Sequence, residues 1–157
     1  MPRIPKEEYY LSIAKSVSQR STCLRRMYGA VIVSGDRIVS TGYNGAPEGR
    51  RNCCDMKQCL RKKLNIPSGE RYELCRSVHA EANAIIFANK LDMEDASLYL
   101  VGTDSDTGEV LPISEPCSMC KRLLINAKIR DVVSLGPDGK VVKKLVRDWV
   151  FDDDSIQ

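Results

Sequence analysis

Apolar and polar positions switch between helical and alternating spacing along the chain, and the switches mark its elements. Over residues 5–20, Tyr10, Ile13, Ala14 and Val17 recur at helical spacing, and Pro5 suits a first turn, so this stretch predicts an amphipathic helix. Residues 29–33 (GAVIV) form a short, continuous apolar run with β-branched members and predict a buried strand. The turn signal Ser34-Gly35-Asp36 follows, and residues 37–43 predict the returning strand. Residues 44–54, with Gly45, Pro47 and Gly49, read as loop. Residues 55–64 predict a helix with Asp55 as its N-cap, ended by a break at 65–69. The dense alanines and isoleucines of 79–91 predict a further helix, and 97–102 a strand, followed by an extended excursion that turns at Thr107-Gly108. Pro116 precedes a predicted helix at 117–127, then come a strand at 130–135 and a turn at 137–139. The spacing over 141–150 fits a helix or a strand. Strands alternating with helices predict an α/β layered domain. There is no internal repeat, low-complexity stretch or linker, so residues 1–157 are read as one domain.

Composition narrows the class. A hydrophobic fraction of 43% and a charged fraction of 29% are those of an ordinary globular chain. The net charge of +3, from 24 basic and 21 acidic residues, is too balanced to argue for nucleic acid. Arg50, Arg51, Arg61, Lys62 and Lys63 cluster, and read as a solvated loop and helix face. The acidic tail within 152–157 reads as solvated too. Residues 1–8 lack the apolar core of a secretory signal, and no apolar run approaches the ~20 residues needed to span a bilayer. The expectation is therefore a cytoplasmic chain with no membrane contact. Its seven cysteines then point to metal or catalysis before disulfides.

The chain has a single histidine, His79, in the run His79-Ala80-Glu81. Downstream stands Pro116-Cys117-Ser118-Met119-Cys120. One imidazole and two thiolates suit zinc, which takes Cys sulfur at about 2.3 Å and His nitrogen at about 2.0–2.1 Å. A C-x-x-C at a helix start turns both sulfurs toward one ion, and the helix N-terminus stabilises thiolates. Three protein ligands leave a fourth tetrahedral position for water, whose pKa zinc lowers from 15.7 to roughly 7. Glu81, two residues past His79, is placed to shuttle protons rather than to ligate. A purely structural zinc is the bland alternative for the same three ligands.

The H-x-E…P-C-x-x-C pattern resembles the zinc nucleobase deaminases, and the chain is similar to the cytidine and deoxycytidylate deaminase superfamily over most of its length. The resemblance extends through Ser21-Thr22-Cys23-Leu24-Arg25-Arg26, the 29–33 strand, Gly42-Tyr43-Asn44-Gly45-Ala46-Pro47 and Leu74-Cys75-Arg76-Ser77-Val78. The GYNG-x-P segment looks like the dCMP branch in particular. The resemblance implies a three-layer αβα domain with a mixed, about five-stranded sheet, and hydrolytic deamination of dCMP to dUMP and ammonia. It implies His79, Cys117 and Cys120 as ligands of a catalytic Zn2+, Glu81 as the proton shuttle, and Asn44 with the Ala80 backbone N–H as substrate contacts. Asn44 could instead merely support a turn. Arg25 and Arg26 are candidates for the 5′-phosphate, with surface arginines as the equal alternative. Tyr28 departs from the small β-branched residue that relatives usually place before the Gly-Ala strand.

Cys23, Cys53, Cys59 and Cys75 form a second set, with Cys54 left over. A Cys₄ group is a standard structural zinc arrangement, and the resemblance adds weight, because some phage relatives carry a second zinc with ligands matching Cys23 and Cys53. The alternative is four packed, reduced thiols. The insertion at 50–76 would carry this second zinc. The family also brings expectations of dCTP activation, dTTP inhibition and assembly into homo-oligomers, hexamers among them. Phe87 is a family-suggested participant in regulation, although such a residue on an Ala-rich helix is more often core. Three rivals remain. A tRNA adenosine deaminase would use the basic cluster for RNA. A riboflavin-pathway deaminase usually comes fused to a reductase. A catalytically silent zinc module would not need Glu81.

Overall fold

The computed structural model describes residues 1–152. Five residues of the acidic tail, 153–157, lie outside the described residues.

Helix α1 (Lys6–Ser18) leads into the hairpin β1 (Arg26–Ser34) and β2 (Arg37–Tyr43). Gly35 and Asp36 both take positive φ, 55° and 60°, as a two-residue hairpin turn between right-twisted strands demands. Two short helices follow, α2 (Cys53–Met56) and α3 (Leu60–Lys63), then α4 (Ala80–Phe87) and α5 (Lys90–Met93). Strand β3 (Ser97–Asp104), helix α6 (Ser118–Asn126), strands β4 (Asp131–Leu135) and β5 (Val141–Leu145), and helix α7 (Val146–Phe151) complete the order.

The sheet is five-stranded and mixed, in the order β2-β1-β3-β4-β5. Only β3 and β4 run parallel, and α6 lies on the crossover that a parallel pair requires. Alternation along the strands supplies two cores. Ala30, Ile32, Leu98, Leu100 and Val132 face Ala80, Ala84 and Leu124 of α4 and α6. Val31, Val33, Tyr99, Val101 and Val133 face Tyr10, Leu11 and Ala14 of α1. Each fully buried Leu or Ile contributes roughly 1.5–3 kcal/mol of hydrophobic stabilisation. The predicted three-layer αβα architecture is thus observed.

Two glycines set how closely the helices approach the sheet. A Cβ on Gly29 would lie 2.0 Å from the Ala14 carbonyl oxygen of α1. One on Gly42 would lie 2.4 Å from both the Ala80 oxygen and the Ala84 nitrogen of α4. Ser40 adds a hydroxyl bond to the Ala84 carbonyl at 2.7 Å. These contacts seat α4, and with it the front of the domain, directly on β2.

Several expected elements differ. Residues 55–64 are not one helix: Lys57 takes φ 52° and divides α2 from α3. Asp55 is not the N-cap. That position is Asn52, whose N–H donates to the Asp55 carboxylate at 3.2 Å. The 79–91 helix ends at Phe87, because Ala88 is extended, and Asn89 caps a new turn through the Leu91 N–H. The ambiguous 141–150 stretch is both: it pairs with β4 as far as Leu145 and becomes helical once the β4 ladder ends at Asp131.

The hairpin tip carries a charge-assisted contact that pH can test. Tyr10 donates to Asp36 at 2.7 Å, and Lys6 pairs with the same carboxylate at 3.2 Å. These hold the Asp36 carboxyl below its ordinary value, with the Tyr10 bond the larger cause. A depressed carboxylate stabilises above its unfolded pKa of about 3.9 and loses that stabilisation as pH falls through the folded value. Tyr10→Phe should therefore lower Tm at neutral pH, and the difference from the parent should shrink below about pH 4 in thermal melts.

Candidate active site

His79 is the N-cap of α4 and Cys117 the N-cap of α6, while Cys120 lies buried in the first turn of α6. The two helix starts thus converge. His79 Nδ1 stands 3.5 Å from Cys117 Sγ and 3.4 Å from Cys120 Sγ, and all three ligand atoms lie within 4.8 Å of one another. Tetrahedral zinc with the bond lengths above needs N···S separations of about 3.5 Å, so the donor set fits that ion in both chemistry and spacing. Hydrogen bonding from Cys120, and then from His79, draws the Cys117 thiol down to about 4, while Cys120 as the donor is pushed up. The Cys117 contact raises His79, against burial and, more weakly, the Arg61 charge.

Glu81 sits in the first turn of α4 and is only 5% exposed. Burial pushes its carboxyl above the usual range, opposed by its own backbone N–H and the His79 charge. Glu81, His79, Ala80 and Cys117 line one open cavity. Arg25, Arg26 and Asn44 line it too, so the predicted substrate residues are brought to the same place.

Asn44 is buried and largely occupied. Its Oδ1 accepts from the Ser21 hydroxyl and the Tyr28 N–H, and its Nδ2 donates to the Arg26 carbonyl. One amide hydrogen remains for a ligand. Its structural bonds thus leave one donor free on the cavity side. The loop it belongs to also fixes the approach to His79, since Gly45 and Val78 exchange both backbone bonds, at 3.2 and 2.8 Å. Asn83 of α4 returns a bond to the Tyr43 carbonyl at 2.8 Å. Tyr28 lies across Gly102, its partner on β3. A Cβ there would come within 2.5 Å of the Tyr28 ring, so the larger residue is accommodated by a missing one opposite.

The second cysteine set is gathered but not closed. Cys23, Cys59 and Cys75 line the same cavity. Buried Cys53 is pushed up by burial and by the neighbouring charges of those three thiols, whereas Cys54 is exposed. Among the described residues, only His79, Cys117 and Cys120 place three ligand atoms mutually within 4.8 Å.

Three residues had no signal in the sequence as site members. Arg61, expected on a solvated face, is 6% exposed. It donates through Nε to the Glu70 carbonyl at 3.1 Å and through Nη2 to the Pro67 carbonyl at 2.8 Å. Its guanidinium lies 4.6 Å from the Tyr72 ring centroid, and Tyr72 meets the His79 imidazole edge-on at 5.1 Å. Glu115, directly before Pro116, also lines the cavity and pairs with Lys121 at 2.9 Å and Lys144 at 3.2 Å. Burial alone would raise its carboxyl, but the two ammoniums outweigh it and hold it low. Phe87, for which the sequence left core and a family-suggested part in regulation open, is 71% exposed and so is not core.

A three-layer αβα domain with a His/Cys/Cys metal triangle and a buried glutamate beside it defines a deaminase-type zinc site. Residues 4–135 match the model of the cytidine and deoxycytidylate deaminase zinc-binding region, and the chain belongs to that family. It is 36% identical to the deoxycytidylate deaminase of Mycobacterium phage D29, over 85% of this chain and 96% of the phage protein. It is 29% identical to the deoxycytidylate deaminase of Schizosaccharomyces pombe, over 81% of this chain but only 36% of the yeast protein. The crystal structure of cyanophage S-TIM5 dCMP deaminase with dCMP and dUMP shares the fold, at TM-score 0.56 and 23% identity, covering 88% of this chain and 90% of that one. No helix among the described residues is long and apolar enough to cross a membrane.

Proposed function

We propose that this chain is a catalytic domain that hydrolyses dCMP to dUMP and ammonia. The observation that carries the reading is the metal triangle with Glu81 buried beside it, in a family whose relatives named above are deoxycytidylate deaminases. His79, Cys117 and Cys120 would hold zinc, which would supply Lewis acidity able to bring the pKa of water to roughly 7. Glu81 takes one proton from the attacking water and passes it to N3 of the cytosine. With the C4–O bond formed, it takes the second proton from the C4 hydroxyl and gives it to the amino group, so the C4 carbonyl forms, the C4–N bond breaks and ammonia leaves. A carboxyl pushed up by burial holds a proton between these transfers better than a solvated one. The Ala80 N–H and the spare amide hydrogen of Asn44 orient the base and sugar.

Ammonia release with dCMP, dCTP, deoxycytidine and an adenosine-bearing tRNA tests the reading. We expect dCMP to be preferred, and turnover of the tRNA alone would overturn it. The tRNA reading is disfavoured because Arg61, part of its basic cluster, is buried. The silent-module reading gives no role to Glu81.

We further infer that Cys23, Cys53, Cys59 and Cys75 hold a second, structural zinc. The support is that Cys23, Cys59 and Cys75 lie near enough to buried Cys53 to act on its thiol. Closing the set needs the thiols to draw together around the ion. Metal analysis should find two zinc ions per chain, with Cys53→Ser losing one and Cys54→Ser losing none. One zinc in the parent protein sinks this site. The resemblance also supports a cytoplasmic homo-oligomer, hexameric in some relatives, that responds to dCTP and dTTP. The outward apolar face of Ile86, Phe87 and Leu91 is consistent with self-association.

A further inference from the structure

Arg61 is a buried cation without a carboxylate partner. Its side chain is more than nine-tenths buried, yet no carboxylate of the described residues pairs with it. Two backbone carbonyls take hydrogens from Nε and Nη2, and the Tyr72 ring covers one face. Those contacts fix the plane of the guanidinium but leave its charge uncompensated, and a buried charge is costly until it is paired. Nη1 donates to no protein atom and is not sealed from solvent, and Arg61 lines the active-site cavity. The group is therefore held in place at the wall of the ligand space.

Its position suits the far end of a nucleotide. The guanidinium and the His79 imidazole both pack on the Tyr72 ring, at 4.6 and 5.1 Å from its centroid. An extended pyrimidine nucleotide with its base at the metal triangle reaches about that far. The other carboxylates on the cavity do not compete for Arg61, since Glu115 is engaged by Lys121 and Lys144 and Glu81 sits beside the metal ligands. Arg25 and Arg26 line the same cavity, but Arg26 is exposed and Arg25 only half-buried. Of the three guanidiniums, Arg61 is the buried one, its plane fixed by two backbone carbonyls, and a planar fork so held suits a phosphate dianion.

We propose that Arg61 is the residue that recognises the 5′-monophosphate of the substrate, donating from Nη1 to a phosphate oxygen. The proposal rests on the nucleotide reading above and deepens it: the insertion makes the enzyme selective for a nucleoside monophosphate over the free nucleoside. Ser68, on the same loop and lining the cavity, offers a hydroxyl to the same group.

The test is the ratio of kcat/KM for dCMP to that for deoxycytidine, in the parent protein and in Arg61→Gln and Arg61→Lys. The parent should favour dCMP. Arg61→Gln should reduce the ratio by about 10- to 100-fold, the worth of a charge-assisted hydrogen bond, and Arg61→Lys by less. The loss should appear mainly in KM for dCMP, with zinc content retained. An unchanged ratio in both variants overturns the proposal and leaves the phosphate to Arg25 and Arg26. A parallel fall on both substrates in both variants also overturns it, showing that Arg61 only braces the Pro67 and Glu70 carbonyls. A parent enzyme with no preference for dCMP refutes the nucleotide reading itself, which is a separate outcome.

Discussion

Glu81→Gln should lower kcat on dCMP by about 10²- to 10⁴-fold, the range associated with losing a positioned general acid–base group. The amide keeps the shape of the carboxyl and cannot accept and return a proton, so substrate affinity should change far less than turnover. The protein itself should tolerate the change. Burial already pushes the Glu81 carboxyl above its ordinary range, meaning that the folded environment disfavours its charged form. A carboxyl raised in this way favours folding below its unfolded value of about 4.3, and that contribution is lost as pH rises through the folded value. A neutral amide has no such loss. In metal-stripped protein the variant should therefore gain stability relative to the parent as pH rises above about 4.3. Zinc bound at His79, Cys117 and Cys120 should stay at one equivalent, because Glu81 is outside the ligand triangle. Near-normal turnover in Glu81→Gln would remove Glu81 from the chemistry.

The contrast between the metal triangle and the insertion shows what a sequence makes legible. His79, Glu81, Cys117 and Cys120 were readable because short-range spacing determines most of their geometry: each motif sits at a helix start, and a helix start has one shape. The strands 29–33 and 37–43 were readable for a similar reason: the continuous apolar run of 29–33 matches its unbroken burial inside the sheet, and 37–43 alternates toward its end as an edge strand does. The insertion had no such local rule. Lys57 takes a left-handed conformation that its side chain does not announce, so one predicted helix became two. Arg61 was grouped with Lys62 and Lys63, which are exposed, because charge along the chain is a poor guide to burial. Its true surroundings are the Pro67 and Glu70 carbonyls and the Tyr72 ring, which only the folded loop brings together. The alternatives for 141–150 could not be separated in sequence, since what ends the strand is the end of its partner at Asp131.

Gly42→Ala should cut kcat/KM by about 100-fold, the cost of an ångström-scale displacement of catalytic groups, while the protein still folds. The added Cβ would lie 2.4 Å from the Ala80 carbonyl oxygen and from the Ala84 nitrogen, both backbone atoms of α4. Neither can rotate away, so the helix itself must lift from β2. Overpacking of this kind typically costs about 1–3 kcal/mol, which a domain with two well-filled cores survives. The consequence for function is larger than for stability because α4 carries His79 at its cap and Glu81 in its first turn, whereas Cys117 and Cys120 ride on α6. Lifting one helix and not the other changes the 3.4 and 3.5 Å separations between His79 Nδ1 and the two sulfurs. It also strains the paired bonds between Gly45 and Val78 that fix the entry to the helix. Gly29→Ala is the informative control, since its Cβ would strike α1 on the opposite face, 2.0 Å from the Ala14 oxygen. That substitution should lower Tm at least as much yet leave kcat/KM of the folded fraction within a fewfold of the parent. If thermal melts and kinetics show the two glycine variants losing activity in proportion to stability, the seating of α4 on Gly42 has no special part in catalysis. If only Gly42→Ala loses activity beyond its loss of stability, the close approach of helix and strand is what holds the imidazole and the carboxylate in register with the two thiolates.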